Sequence, residues 1–494
     1  MKKRVLIIAS FLILACCHIN NDPPLSNDEP FYFILGQSIA SGQGYRDIHY
    51  PDQPPNTEYP FFYPLLIAGI LSLLPHSVSG VKVLTALFGA GAILLLIRLC
   101  EQESQPQDHS SLAVPLLLSL NLWFVSLSAV VAPEIPYLCF SLLAVLAVER
   151  YSRRDTIFNA SLFLAGAALA VSVFTKALGL SLLCASLLYL VLKKRFGQTL
   201  ALASLTVIPF LLWLYRNSRL SQESVSLDYL GQILGGYQGL TLKSILSSLL
   251  YNISHYFRFF SQLLLPGYFL DHQSFLGISY FPSLYKAMNS WTFVPRGFSL
   301  FRLILIAGVS VLILYGVWGR LRRFRLMDIY ALSYFSLLHI FPPEFCRTAG
   351  TRYLFSLLPF LLFYLLEGLK NLSPHLPILK NQGWKVLFPF LLIYNLLPLL
   401  SSAQGNLSYL IQSQSPSWNM EDHPFWLAKY FTAGPWVKEN TPADSVIMCR
   451  FPPAFYLVSR RRTVFFHKWW WVPEQRTMEE IKAALLNRGV DYVV

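Results

Sequence analysis

Charge is scarce in this chain. Only 13% of its 494 residues are Asp, Glu, Lys or Arg, and 54% are hydrophobic, whereas a soluble domain carries about 25% charged residues. That deficit, sustained over such a length, excludes an ordinary soluble enzyme. Paired cysteines are missing too. The seven Cys (Cys16, Cys17, Cys100, Cys139, Cys184, Cys346 and Cys449) are scattered, with no CxxC pair, so neither a structural zinc site nor a disulfide framework is indicated. The ten His show no metal-type spacing. There is no basic tail, no RNA-type aromatic motif, no internal repeat and no low-complexity tract. The net charge of +13 is therefore not a nucleic-acid footprint, and nucleic acid is excluded as a partner.

Long apolar runs are what the chain has. They are continuous over about 16–20 residues and do not alternate, which fits membrane-crossing helices and not barrel strands. The fold class is a polytopic α-helical membrane protein. About eleven spans are expected, at about 5–19, 79–98, 112–131, 137–149, 157–174, 178–192, 199–215, 300–318, 327–341, 354–369 and 386–401. The first is read as an uncleaved span and not a signal peptide, because bulky Leu14 sits where cleavage before Cys16 wants a small residue.

Basic residues gather at alternate span ends: Lys2–Arg4, Arg98, Arg150 to Arg154, Lys193–Arg195, Arg320 to Arg325, and Lys370 to Lys385. The positive-inside rule puts these in the cytoplasm. The opposite side carries a long loop, about 20–77, with Asp22, Asp28, Glu29, Asp47, Asp52 and Glu58 against a single Arg46. Within it, Tyr59–Pro75 is apolar but contains Pro64, and reads as an interfacial or re-entrant helix. A second outer segment covers about 216–299.

From about residue 417 the composition turns soluble. A strand ending at Cys449 is expected, then a short helix Pro453–Val458 and a strand Arg462–Phe466. A capping box, Thr477-Met-Glu-Glu480, opens a helix to Asn487 with Gly489 as its stop, and a last strand begins at Asp491. The expected division is a transmembrane unit, 1–401, and a small outer-face α/β unit, 402–494, which reads as cut short in mid-strand.

Ionisable residues held at a membrane boundary are costly and usually have a task. Four clusters share the outer side: Asp28-Glu29, Glu134 between Pro133 and Pro136, Lys176, and Arg347 with Arg352-Tyr353. Carboxylates and cations at one water–lipid boundary suit a reaction on a phosphate-bearing lipid: the cations hold the phosphate and an acid takes a proton from an attacking hydroxyl. Structural roles compete at every position. Asp28 or Glu29 could cap a helix starting near Pro30, and Glu134 could cap the span after it. Lys176 could snorkel, and Arg352-Tyr353 could anchor an interface. Glu344 is a weaker candidate. His49, His255 and His272 read as solvated, and Trp469–Trp471 as an apolar contact.

The order of these motifs resembles the GT-C membrane glycosyltransferases, specifically the protein O-mannosyltransferase and aminoarabinose transferase group. The matching features are Asp28-Glu29 with Tyr32, Ala40, Gly42, Gly44-Tyr45 and Tyr59-Pro-Phe-Phe-Tyr-Pro64, then Glu134, Thr175-Lys176 and Arg352-Tyr353. Asn440 to Val446 and Gly489 to Val494 complete the match. The resemblance implies inverting transfer of a sugar from a polyprenyl-phosphate donor on the outer face of the inner (plasma) membrane. The N-terminus would be cytoplasmic and the C-terminal unit periplasmic or extracellular. It implies Asp28, Glu29 and Glu134 as the catalytic set, with Asp28 as general base. Lys176, Arg352, Tyr353, Arg347 and Tyr59 would bind substrate, Lys176 and Arg352 facing the lipid phosphate. Arg46 is the only cation in the first loop, and no metal-ligand set carries over. The cofactor is thus unassigned, with a divalent metal left open. The acceptor (lipid, glycan or protein) is also open. The competing readings are a lipid or sugar transporter or flippase, and a surface-polysaccharide ligase or polymerase that uses a pyrophosphate donor.

Overall fold

A computed structural model of the protein describes residues 2–25, 28–103, 109–220, 242–264, 299–321, 323, 325–340, 352–372, 383–412, 428–465 and 489–493. Arg347, Glu344, His272, Trp469–Trp471 and the capping box at 477–480 lie outside the described residues.

The described chain is a bundle of helices with one small sheet. In order it runs α1 (Lys2–Cys16), α2 (Glu29–Ala40), α3 (Phe62–Leu73), α4 (Val78–Glu103), α5 (Ala113–Ser119), α6 (Leu122–Ser128), α7 (Glu134–Ser152), α8 (Ala160–Thr175), α9 (Gly179–Leu192) and α10 (Phe196–Leu220). Then come α11 (Leu242–Leu264), α12 (Ser299–Leu321), α13 (Leu326–Ile340), α14 (Leu358–Leu372), α15 (Gly383–Gln412) and α16 (Ala428–Asn440). The C-terminal part is β1 (Val446–Cys449), α17 (Pro452–Ser459), β2 (Arg462–Phe465) and β3 (Tyr492–Val493). By length and composition, four helical stretches are suited to crossing a membrane: Val78–Glu103, Glu134–Ser152, Phe196–Leu220 and Arg352–Leu372. Shorter apolar helices occupy most of the other expected spans.

One expected span differs. The run 112–131 is not a single helix but two short ones, α5 and α6, with a break at Leu120-Asn121. Asn121 causes it. Its side-chain oxygen accepts from the amides of Trp123 (3.1 Å) and Phe124 (3.2 Å), and so starts α6 afresh. Its side-chain nitrogen donates to the Leu263 carbonyl (2.8 Å) and to Asn395 Oδ1 (3.1 Å). A break at membrane depth is tolerable where its polar groups are satisfied inside protein.

α3 is a twelve-residue helix at the place where an interfacial or re-entrant helix is expected, and it rises only about 18 Å at 1.5 Å per residue. α3 packs on α2 where Gly36 faces Ile67, and a Cβ at Gly36 would strike that side chain. The turn leaving α2 needs positive φ at Gly42 (75°) and Gly44 (83°), which glycine adopts without a steric penalty. The Ser38 hydroxyl closes it on the Gly44 carbonyl at 2.8 Å.

The sheet is parallel, in the order β2-β1-β3. Its own core is small: Val437, Ile447, Cys449 and Phe455. Ala454 and Leu457 of α17 instead join the main core of the bundle. The end of the bundle at the C-terminus of α4 is closed by buried ions. Arg320 bonds Glu103 (2.6 Å) and Asp328 (3.1 Å), and Tyr364 donates to Asp328 at 2.9 Å.

Candidate active site

Asp28 stands at the N-cap position of α2, with Pro30 in the first turn, as the sequence suggests. Its side chain makes no capping bond. Instead Asp28 Oδ2 meets Arg352 Nη2 at 2.9 Å, and the Tyr59 hydroxyl donates to Asp28 Oδ1 at 3.3 Å. An acid that declines its local capping partner for a cation more than three hundred residues away is held for a tertiary purpose.

Arg352 connects two carboxylates. Its Nε donates to Glu134 Oε1 at 2.6 Å, while its Nη2 holds Asp28. Lys176 Nζ reaches the same Glu134 oxygen at 3.1 Å and lies 5.4 Å from the centroid of the Tyr353 ring. Each charge reaches the cluster from a helix end. Glu134 opens α7 between Pro133 and Pro136, which the helix start tolerates, and its charge suits the positive end of the helix dipole. Lys176 is the residue after α8 and leaves in an extended conformation. The Tyr353 carbonyl accepts from Tyr334 at 2.7 Å, which fixes the chain beside Arg352.

Burial sorts the roles. The Glu134 side chain is 0% exposed, Lys176 9%, Arg352 14% and Asp28 32%. Asp28 is thus the most accessible of the four. Glu134 neutralises two cations from inside, and its Oε2 has no hydrogen-bond partner among the described residues. Burial pulls the Lys176 amine below the ordinary lysine range, and Glu134 opposes that shift.

Glu29, the second acid of the pair, is placed differently. It is buried, 7% exposed, and receives a backbone hydrogen bond from Val131. Burial pushes its carboxyl up to about 8, against the nearby charges of Lys82 and Arg352. Burial thus favours the protonated form of Glu29, while Asp28 and Glu134 face Arg352 and Lys176.

The first loop is held from several sides. Asn56 donates to both oxygens of Asp47 (3.2 and 3.1 Å) and accepts from the Tyr59 amide (3.0 Å). Burial raises Asp47 to about 7, with the Asn56 bond opposing. Arg216, stacked on Trp213 and Tyr45, donates to the Asn56 carbonyl at 3.0 Å. His49, expected to be solvated, is fully buried. It packs on Phe31, Tyr50 and Tyr456, and burial lowers it to about 3. The ring is buried because the loop is pressed against the C-terminal unit: the Thr463 amide donates to the His49 carbonyl at 2.7 Å and Arg462 to the Pro51 carbonyl at 2.7 Å. A loop sequence carries no sign of a partner that lies four hundred residues on.

The tertiary structure therefore brings together Asp28, Glu134, Lys176, Arg352, Tyr353 and Tyr59. Glu29 is set behind them. Lys82, which no sequence motif marks, is fully buried on α4 beside Glu29. A lone lysine inside an apolar run was the available signal. Among the described residues no group of three or more His, Cys, Asp and Glu is suited to a metal ion.

Residues 58–214 match the family model of dolichyl-phosphate-mannose-protein mannosyltransferases. Tyr59, Glu134 and Lys176 fall inside that match. No curated protein matches the chain. Among solved structures, ArnT from Cupriavidus metallidurans bound to undecaprenyl phosphate is similar over 99% of this chain and 89% of its own, with TM-score 0.56 and 13% identity. The archaeal oligosaccharyltransferase AglB from Archaeoglobus fulgidus, in complex with an inhibitory peptide and a dolichol-phosphate, is similar over 99% of this chain and 69% of its own. Its TM-score is 0.55 and its identity 13%. Both are GT-C glycosyltransferases, and at these identities the likeness is one of fold. This chain has the GT-C fold that the order of its motifs implied.

Proposed function

We propose that this protein transfers a sugar from a polyprenyl-phosphate donor to a hydroxyl acceptor at the outer face of the membrane, with inversion at the anomeric carbon. The observation that carries the reading is the Asp28–Arg352–Glu134–Lys176 cluster, in which the most exposed carboxylate shares one guanidinium with a buried acid. Asp28 takes the proton of the acceptor hydroxyl, whose oxygen bonds the anomeric carbon. The bond from that carbon to the phosphate oxygen breaks, and polyprenyl phosphate leaves with the electron pair. Arg352 is shaped for two-point contact with phosphate. Its second contact, Glu134, keeps it oriented, and Lys176 keeps Glu134 charged. The lipid phosphates bound by the ArnT and AglB structures support this donor class.

The test is mass spectrometry of the lipid product formed by purified protein from polyprenyl-phosphate sugars and a fractionated acceptor pool. Monophosphate release is expected, and Asp28→Asn should lower turnover by a hundredfold or more (about 10²–10⁴ for a general base) with the protein still folded. Turnover at the parent rate in Asp28→Asn removes the base assignment. Release of pyrophosphate, or movement of lipid without covalent change, removes the reading.

A further inference from the structure

We propose that Lys82 is a positioning residue for the carboxylate pair: from the first turns of α4 it pins the segment leading into α2 and sets a positive charge beside Glu29. The inference rests on the transfer reading above and names a part of the machinery outside its reacting groups. Lys82 is fully buried. Its amine donates to the Asn20 carbonyl (3.1 Å), to Asn20 Oδ1 (2.5 Å) and to the Asp22 carbonyl (3.1 Å). All three acceptors belong to the short segment between α1 and α2. A buried ammonium is costly to desolvate, and here it donates three hydrogen bonds to Asn20 and Asp22.

The same face of α4 grips the other side of the pair. Thr85, one turn on, lies 3.1 Å from the Tyr63 hydroxyl of α3. Tyr63 packs on Tyr32 of α2, Tyr32 on Tyr59, and Tyr59 donates to Asp28. Lys82 and Thr85 thus brace α2 from before and behind. The groups facing Glu29 are Lys82 on α4, Arg352 on the Arg352–Leu372 stretch, Glu134 on α7, the Val131 amide, and Tyr63 on α3. Lys82 is the largest of the charges that favour its ionised form. Neither Lys82 nor Glu29 touches substrate in this reading. They set where Asp28 stands and whether Glu29 carries a proton.

Two readouts on the full-length protein test this. The first needs no substrate: the infrared carbonyl band of a protonated carboxyl, assigned to Glu29 by its loss in Glu29→Gln, is titrated with pH. In Lys82→Met its midpoint should rise by about one unit or more, while Lys82→Arg should keep it near the parent. The second is sugar transfer. Lys82→Met should lower kcat by about tenfold or more through misplacement of Asp28, with the donor KM little changed, and Lys82→Arg should restore most of it. If Lys82→Met does not fold, Asn20→Ala keeps the charge and removes one tether, and it should lower kcat without moving the midpoint. An unmoved midpoint in folded Lys82→Met, or parent kcat in Asn20→Ala, overturns the proposal. A parent protein that transfers no sugar overturns the transfer reading alone, and the infrared titration still decides whether Lys82 governs Glu29.

Discussion

At the scale of single residues, two neighbouring acids have been given opposite environments. Asp28 is a third exposed and paired with Arg352; Glu29, one position on, is buried. Their separation follows from helix geometry, since consecutive residues on a helix point about 100° apart. A consequence concerns pH. Because burial raises the folded-state value of Glu29 to about 8, the carboxyl favours the fold while protonated. Its contribution is present in full below the ordinary carboxylate range and is lost as pH rises through about 8. The melting temperature of the detergent-solubilised protein is expected to fall between about pH 5 and pH 8, and Glu29→Gln is expected to lessen that fall. A parallel pH dependence in parent and variant would show that Glu29 does not titrate there. The carboxylates were legible as candidates from their place after the first span. Which one stays accessible was not, because exposure is a property of packing.

At the scale of elements, helix contacts rest on small residues. Gly316 of α12 and Gly368 of α14 lie back to back. A Cβ at Gly316 would run into the Tyr364 carbonyl, and one at Gly368 into the Leu312 carbonyl. Backbone cannot yield as a side chain does, so close helix approach in a membrane depends on such positions. Gly368→Ala is expected to cost about 1–3 kcal/mol or more by overpacking, seen as a lower melting temperature. Gly69→Ala is the control: nothing lies within 4 Å of its Cβ, and alanine favours helix by up to about 1 kcal/mol. Equal losses in the two variants would sink the argument. Span positions were readable from hydropathy alone. The break at Asn121 was not, because an asparagine in an apolar run ends a helix only if partners such as Leu263 and Asn395 take up its other hydrogen bonds.

At the scale of the molecule, the C-terminal sheet is joined to the loop that carries Tyr59. β2 lies at the edge of the sheet, and the Thr463 amide turns outward to the His49 carbonyl. Phe31 then packs on Phe451 at 6.2 Å and stacks on Tyr59 at 5.3 Å. The path from sheet to Asp28 is short and made of packed rings. Thr463→Pro removes that amide at an edge position where proline is otherwise tolerated. Faster amide hydrogen exchange across residues 45–59 is expected, together with lower transfer activity. Unchanged exchange in this variant would mean that the sheet does not steady the loop.

The sequence alone determined the class of protein and the identity of the candidate groups. Hydropathy and charge act locally, so the apolar runs, the loop acids and the motif order could be read in series, and they implied the fold that ArnT and AglB share. The tertiary structure decided the partnerships: Arg352 between Asp28 and Glu134, Lys82 on the segment before α2, and His49 buried under a distant strand. Those depend on which helix ends meet, and contacts between residues hundreds of positions apart leave no trace in the neighbourhood of either one.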